Sequence, residues 1–293
     1  MQLGPLGVWT WLDTLDARAS AELAQRVEAL GYAALWLPEA VGRDPFALIG
    51  FLSARTSRLV FATGIANVYA RDAMAMRAAH RSLAELSDGR FVLGLGVSHA
   101  HLVTGVRGHA YGRPVATMRA YLDAMAKAPY VGVAPREEAP IVLAALRPRM
   151  LELARERARG AHPYFVPVEH TERARKILGP GAWLCPEQKI LLETDPGKAR
   201  AVARAAMKIY LGLPNYQNNL RWLGYGDADF AGGGSDRLVD AIVAWGDETA
   251  LRRRIQAHRD AGADHVCIQP LRPDGKPGPH LEAIELLAPV QGA

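Results

Sequence analysis

One joint recurs along this chain and restricts what it can fold into: a stretch with helical spacing ends at a glycine, and a short apolar run follows within a few residues. Ala19, Leu23, Val27 and Leu30 share one helix face, Gly31 stops it, and residues 33–37 read as a strand. The joint returns at 76–86 with Gly89 and a strand at 91–95, at 150–158 with Gly160 and 161–165, and at 251–261 with Gly262 and 265–269. Glycine suits the left-handed position that closes a helix. Helix, glycine and strand in repetition imply crossover units, which lay parallel strands side by side.

Residues 6–9, 59–65, 141–146 and 190–192 supply four more apolar runs, giving eight strands, each followed by helical material. Eight such units close into an α/β fold, the (β/α)8 TIM barrel, with a doubly wound open sheet as the alternative. A chain of 293 residues fits one barrel domain over 1–293. The spacing before the last strand is too long for one crossover, so 195–247 reads as an inserted helical segment between strands seven and eight. Its helices are expected at 198–211 and 214–223. A third begins after the glycine run 232–234 at the N-cap Ser235, with Leu238, Ile242 and Trp245 on one face.

With 49% hydrophobic and 22% charged residues the chain can build a packed core. No run of roughly 18 apolar residues offers a membrane span. The first residues show neither a basic stretch nor a small-residue cleavage site, and Cys185 and Cys267 cannot make a disulfide framework, so a cytoplasmic location is expected. The net charge is +5, but its densest run, Arg252 to Arg254, is flanked by Glu248 and Asp260 and reads as a solvated helix face rather than a nucleic-acid surface. Phosphate-loop and nucleophile-elbow motifs are missing. Gly94-x-Gly96 lacks the third glycine of a dinucleotide fingerprint, with His99 in its place.

In a barrel the working residues lie at the C-terminal ends of the strands. That rule selects Trp9 and Trp11 after strand one, Glu39 after strand two, and Gly64, Ile65, Asn67 and Tyr69 after strand three. It adds Ser98, His99 and His101 after strand four, Arg147 after strand five, and His162 and Tyr164 after strand six. His99, His101 and His109 have no cysteine or carboxylate at ligand spacing, so no metal is expected. His80 falls inside a helix and reads as a packed group.

The runs Thr63-Gly64-Ile65-Ala66-Asn67-Val68-Tyr69-Ala70-Arg71 and Leu86-Ser87-Asp88-Gly89-Arg90-Phe91-Val92-Leu93-Gly94-Leu95-Gly96, their separation, and the run 29–37 resemble the bacterial-luciferase-like superfamily. The resemblance is strongest over 4–125 and returns over 235–270. Its nearest branch is the one that uses the deazaflavin coenzyme F420, with FMN-dependent monooxygenases as close relatives.

The resemblance implies a site. A cis peptide at Gly64–Ile65 would back the cofactor's central ring, where a plain barrel-rim bulge is the alternative. Ser98 and His99 would sit near the reactive edge, with His99 either shuttling a proton or only bonding a neighbour. Glu39 would be an acid in an apolar pocket or the partner of Arg43 or another rim arginine. Asn67 and Tyr69 would shape the pocket, Trp9 and Trp11 would lie beside the substrate, and Arg147, His162 and Tyr164 would meet the cofactor's phosphate. Tyr216, Trp222 and Tyr225 of the inserted segment would cover the substrate. The implied activity is hydride transfer between F420 and a small organic substrate. Flavin monooxygenase, non-catalytic flavin-binding barrel and metal-dependent barrel hydrolase are the alternatives. Relatives of this kind often pair as homodimers.

Overall fold

Asp16, Asp44, Asp72, Asp195 and Asp247 each stand at the start of a helix and accept a backbone N–H of its first turn. These aspartates fix where each helix begins. The architecture is that of a computed structural model, which describes residues 1–289; the last residues of the expected 1–293 domain lie outside the described residues. Its strands are β1 (Leu6–Trp9), β2 (Ala34–Leu37), β3 (Val60–Thr63), β4 (Ala66–Asn67), β5 (Phe91–Gly96), β6 (Ile141–Leu143), β7 (Gly160–Ala161), β8 (Trp183–Leu184), β9 (Glu187–Leu192), β10 (Val243–Gly246) and β11 (Val266–Leu271). The helices that matter below are α1 (Ala17–Ala29), α2 (Pro45–Ser53), α3 (Ala73–Leu86), α4 (Pro114–Lys127), α5 (Pro148–Arg157), α6 (Val168–Leu178), α7 (Pro196–Leu211) and α8 (Pro214–Leu223).

The strands pair in parallel in the order β10-β9-β11-β1-β2-β3-β5-β6-β7-β8, with β4 on the upper part of β5. β8 and β9 are consecutive pieces of chain separated by Cys185 and Pro186. The first piece pairs with β7 and the second with β11, so the two ends of the curled sheet meet and a TIM barrel results.

Three apolar groups follow from this closure. Outward side chains such as Val8, Leu35, Phe61, Leu93, Leu143 and Ile268 pack under the surrounding helices. Inward ones, including Trp36, Val60, Ala62, Val92, Val142, Trp183, Cys185 and Cys267, fill the barrel. The third group joins α7 and α8 to Phe165 and Leu191 at the barrel's C-terminal face.

The structure refines the expected joints. Gly31, Gly89 and Gly262 have φ of 86, 79 and 100° and do close helices. Gly160 does not. It lies inside β7, and a Cβ there would stand 1.9 Å from the Trp183 carbonyl oxygen, so its reason is close strand packing. The strand expected at 161–165 is accordingly only two residues long, and the one at 190–192 begins earlier, at Glu187.

Between Pro196 and Ile242 the chain is largely helical, but the helix from Asp236 stops at Ile242. Trp245, expected on its face, instead belongs to β10, which pairs with β9 above the point where β7 has ended. No helix of the described residues is long and apolar enough to cross a membrane.

Candidate functional site

A cavity of about 400 Å³ opens at the C-terminal face of the barrel, where the strand-end rule points. Its floor is the turn between β3 and β4. The Gly64–Ile65 peptide bond there is cis, as expected at that position. The indole N–H of Trp9 donates to the Gly64 carbonyl at 2.8 Å, and the Thr63 hydroxyl binds both the N–H and the C=O of Gly94, so the turn is held from β1 and β5.

Side chains have been removed from this floor. A Cβ on Gly64 would stand 2.6 Å from the Trp9 Nε1. One on Gly96 would stand 2.5 Å from Ile65 Cδ1 and 3.2 Å from Ala144 Cβ. The two glycines thus make room for the Trp9 indole and the Ile65 side chain, and with Ala144 and Ala145 they give the cavity a floor of small and apolar groups.

The polar groups gather along one wall. Ser98 has φ 56°, a left-handed conformation uncommon outside glycine, and it turns the chain so that His99 reaches the cavity. Burial, then the nearby His101, lowers the pKa of His99, and the Asn215 side chain bonds it from the opposite wall. His99 is therefore neutral near pH 7 and able to accept a proton. It packs against the Tyr216 ring with centroids 5.5 Å apart.

Glu39 reaches the cavity, but not as the free acid of an apolar pocket. Its Oε1 pairs with Arg71 at 2.5 Å and its Oε2 accepts the Asn67 N–H at 2.8 Å. Both oxygens are committed, and the partner is Arg71 rather than Arg43, which bonds Ser20 and the Leu15 carbonyl. Asn67 and Tyr69 stand behind the cavity wall. Asn67 Oδ1 accepts from the Tyr69 N–H and holds its own turn, and the Tyr69 hydroxyl accepts from the Gly112 N–H and braces the loop after β5.

His162 is buried inside the barrel. Its Nδ1 bonds the Cys185 carbonyl at 2.7 Å, and its ring stacks on Trp36 with centroids 4.5 Å apart. Burial pushes its pKa down to about 4. A neutral ring that donates its Nδ1–H to the Cys185 carbonyl keeps only an acceptor, Nε2, buried beside Gly64, and has no proton to give a phosphate oxygen. Arg147 is exposed at the N-cap of α5, outside the cavity. There, and at Pro167 before α6, no side chain caps the helix, which leaves the N–H of Arg149 at α5 and those of Val168 and Glu169 at α6 without a backbone partner among the described residues.

Tyr164 joins a network hidden in the sequence. Its hydroxyl lies 2.8 Å from that of Tyr210 and 2.9 Å from Gln269 Oε1, and Lys189 Nζ stands 3.9 Å from its ring centroid. Lys189 is itself paired at 3.2 Å with both oxygens of Glu187, and both side chains are 1% exposed. Burial raises the pKa of Glu187 and lowers that of Lys189. Alternation along β9 gives the only sequence signal for the pair, since Glu187, Lys189 and Leu191 share the inward face.

Of the aromatic cover expected from the inserted segment, Tyr216 lines the cavity, while Trp222 packs against His170 and Arg173 away from it and Tyr225 lies under Arg237. Tyr210, Leu213 and Asn215, from the same segment, complete the wall and were not anticipated. Trp9 and Trp11 line the opposite side, edge to face with centroids 5.4 Å apart.

The model of the luciferase-like monooxygenase family matches residues 5–265. A Mycobacterium tuberculosis protein named for coenzyme F420-dependent oxidoreductase activity is 26% identical, over 92% of this chain and 94% of its own. The coenzyme F420-dependent tetrahydromethanopterin reductase of Methanopyrus kandleri superimposes with a TM-score of 0.73 at 17% identity, covering 98% of each chain. The oxygenating constituent of 3,6-diketocamphane monooxygenase from Pseudomonas putida, solved with FMN, gives a TM-score of 0.69 at 14% identity, covering 97% of this chain and 96% of its own. With the cavity at the barrel's C-terminal face and the Gly64–Ile65 turn after β3 at its floor, the family match assigns the chain: it belongs to the luciferase-like monooxygenase family.

Proposed function

We propose that this oxidoreductase binds coenzyme F420 in preference to FMN and exchanges a hydride with a small organic substrate. The observation that carries the reading is the apolar floor of Gly64, Ile65, Gly96 and Ala144 beneath a cavity of about 400 Å³ at the barrel's C-terminal face. Similarity to a mycobacterial relative named for F420 favours F420 over FMN. Bound F420 supplies a hydride at its central ring carbon.

This chain's own residues do the rest. The β3–β4 turn supports the ring and Trp9 fixes the turn. The uncapped starts of α5 and α6, with Arg147 beside them, offer N–H groups to a phosphate. His99 Nδ1 or Nε2 takes or returns the proton that accompanies the hydride. Tyr210, Leu213 and Tyr216 exclude water.

Titration of the purified protein with F420 and, separately, FMN, read by the fluorescence of Trp9 and Trp11, tests the proposal. Selective F420 binding is expected. Selective FMN binding would instead move the protein to the monooxygenases, and binding of neither would leave only the fold.

A further inference from the structure

The chamber above the β3–β4 turn offers no free charge. Among the described residues that line it, Glu39 carries the only formal charge, and both its oxygens are taken, one by Arg71, which Asp44 also pairs, and one by the Asn67 N–H. Behind the wall Lys189 and Glu187 pair with one another, and the Arg107 guanidinium is held on the Ala40 carbonyl. The remaining polar lining consists of His99, Asn215, Ser98 and the hydroxyls of Tyr164, Tyr210 and Tyr216, with His101 at the open rim. Trp11, Leu102, Ile209 and Leu213 supply apolar surface around them. A charged group carried into the interior of this space would shed its water and meet no free counter-charge among the lining side chains, which opposes its binding there.

One hydroxyl there stands apart. Tyr164 and Tyr210 bond one another, and Tyr164 also reaches Gln269. Tyr216 is 6% exposed and packs against Phe165, Tyr164, Tyr210 and His99, yet no described group bonds its hydroxyl. That oxygen is not among the sealed, partnerless polar atoms of the interior, so it remains in reach of the cavity its side chain lines. Burial keeps its pKa well above the usual tyrosine value, so it is a hydrogen-bond donor throughout the physiological range.

Resting on the oxidoreductase reading above, we propose that the chamber takes an uncharged, mainly apolar substrate that presents one acceptor oxygen, as a ketone or an alcohol does, to the hydroxyl of Tyr216. Tyr216 then fixes the oxygen beside His99, the group placed to exchange its proton. An apolar body fills the space toward Leu213 and Ile209.

Three probes of one shape separate the terms: cyclohexyl methyl ketone, cyclohexanecarboxylate and isopropylcyclohexane. Each is titrated calorimetrically into the protein saturated with F420. The ketone is expected to bind at least tenfold more tightly than the carboxylate. Tyr216→Phe should weaken the ketone about 3- to 10-fold, to the level of the hydrocarbon, the change expected for loss of one neutral hydrogen bond, with the Kd for F420 unchanged. Leu213→Arg, which adds a counter-charge at the wall, should raise carboxylate affinity.

Equal or tighter binding of the carboxylate to the unaltered protein would overturn the proposal. So would a ketone that does not bind, or a Tyr216→Phe variant that binds it undiminished. Failure of F420 itself to bind is read in the first titration and bears on the cofactor reading alone.

Discussion

Trp9 and Gly64, 55 residues apart, are joined by a 2.8 Å hydrogen bond from the indole N–H to the glycine carbonyl. The same indole occupies the space a Gly64 side chain would need. One residue therefore both fixes the cavity floor and forbids anything bulkier on it. Gly64→Ala should lower Tm by several degrees and weaken cofactor binding more than tenfold, because the new methyl must displace either Trp9 or the turn. Trp9→Phe keeps the ring but leaves the carbonyl without its donor, at a cost of about 1–3 kcal/mol. Thermal melts and cofactor titrations of both variants check this.

Glu39 and His99 should separate cleanly. Glu39 is locked between Arg71 and the Asn67 N–H, so Glu39→Gln should leave Arg71 with Asp44 as its one carboxylate partner and lower Tm modestly, with a modest change in kcat. His99→Ala should do the reverse, lowering kcat by about 10²- to 10⁴-fold if it transfers the proton, with little change in Tm. Steady-state kinetics beside melting curves decide between them, and equal loss of kcat in both would make Glu39 part of the chemistry.

How much of this was legible in the sequence depends on whether a signal was local. The positions of Gly31, Gly89 and Gly262 each close a helix at positive φ, and that local demand revealed the repeating unit and hence the barrel. The motif around Gly64 likewise located the cavity floor. Gly160 looked identical in sequence but answers to the Trp183 carbonyl on another strand, a long-range cause that no local pattern carries. The run Glu187-Gln188-Lys189 reads as solvent-facing, yet all three are buried, because Glu187 and Lys189 satisfy each other and Gln188 bonds His258 and the Ile242 carbonyl. Tyr216 was legible as cover for the cavity, whereas Tyr210 and Asn215, on α7 and α8, join its wall through a seating of those helices that shows only in three dimensions.

The Glu187–Lys189 pair gives a test by single and double replacement. Lys189→Met strands a buried carboxylate and Glu187→Gln a buried ammonium, and each should cost about 3–5 kcal/mol in urea unfolding. The double variant removes both charges and should be markedly more stable than the sum of the single losses predicts. Simple additivity would show that the two groups do not act as a pair.

Stability should fall on acidification, and the buried histidines set the window. Burial lowers the pKa of His162, His170 and His265 to about 4 and that of His258 to about 3. In the unfolded chain a histidine titrates near 6.5. Between these limits the unfolded state binds more protons than the folded one, so the free energy of unfolding rises with pH and is lost as pH drops from about 6.5 toward 4. At pH 5 unfolding should take up about one proton per histidine of this group, measurable as the slope of unfolding free energy against pH. Replacing His258, whose ring bonds Thr171 and Gln188, by glutamine should flatten that slope by about one proton. A slope left unchanged would show that His258 does not titrate in this window.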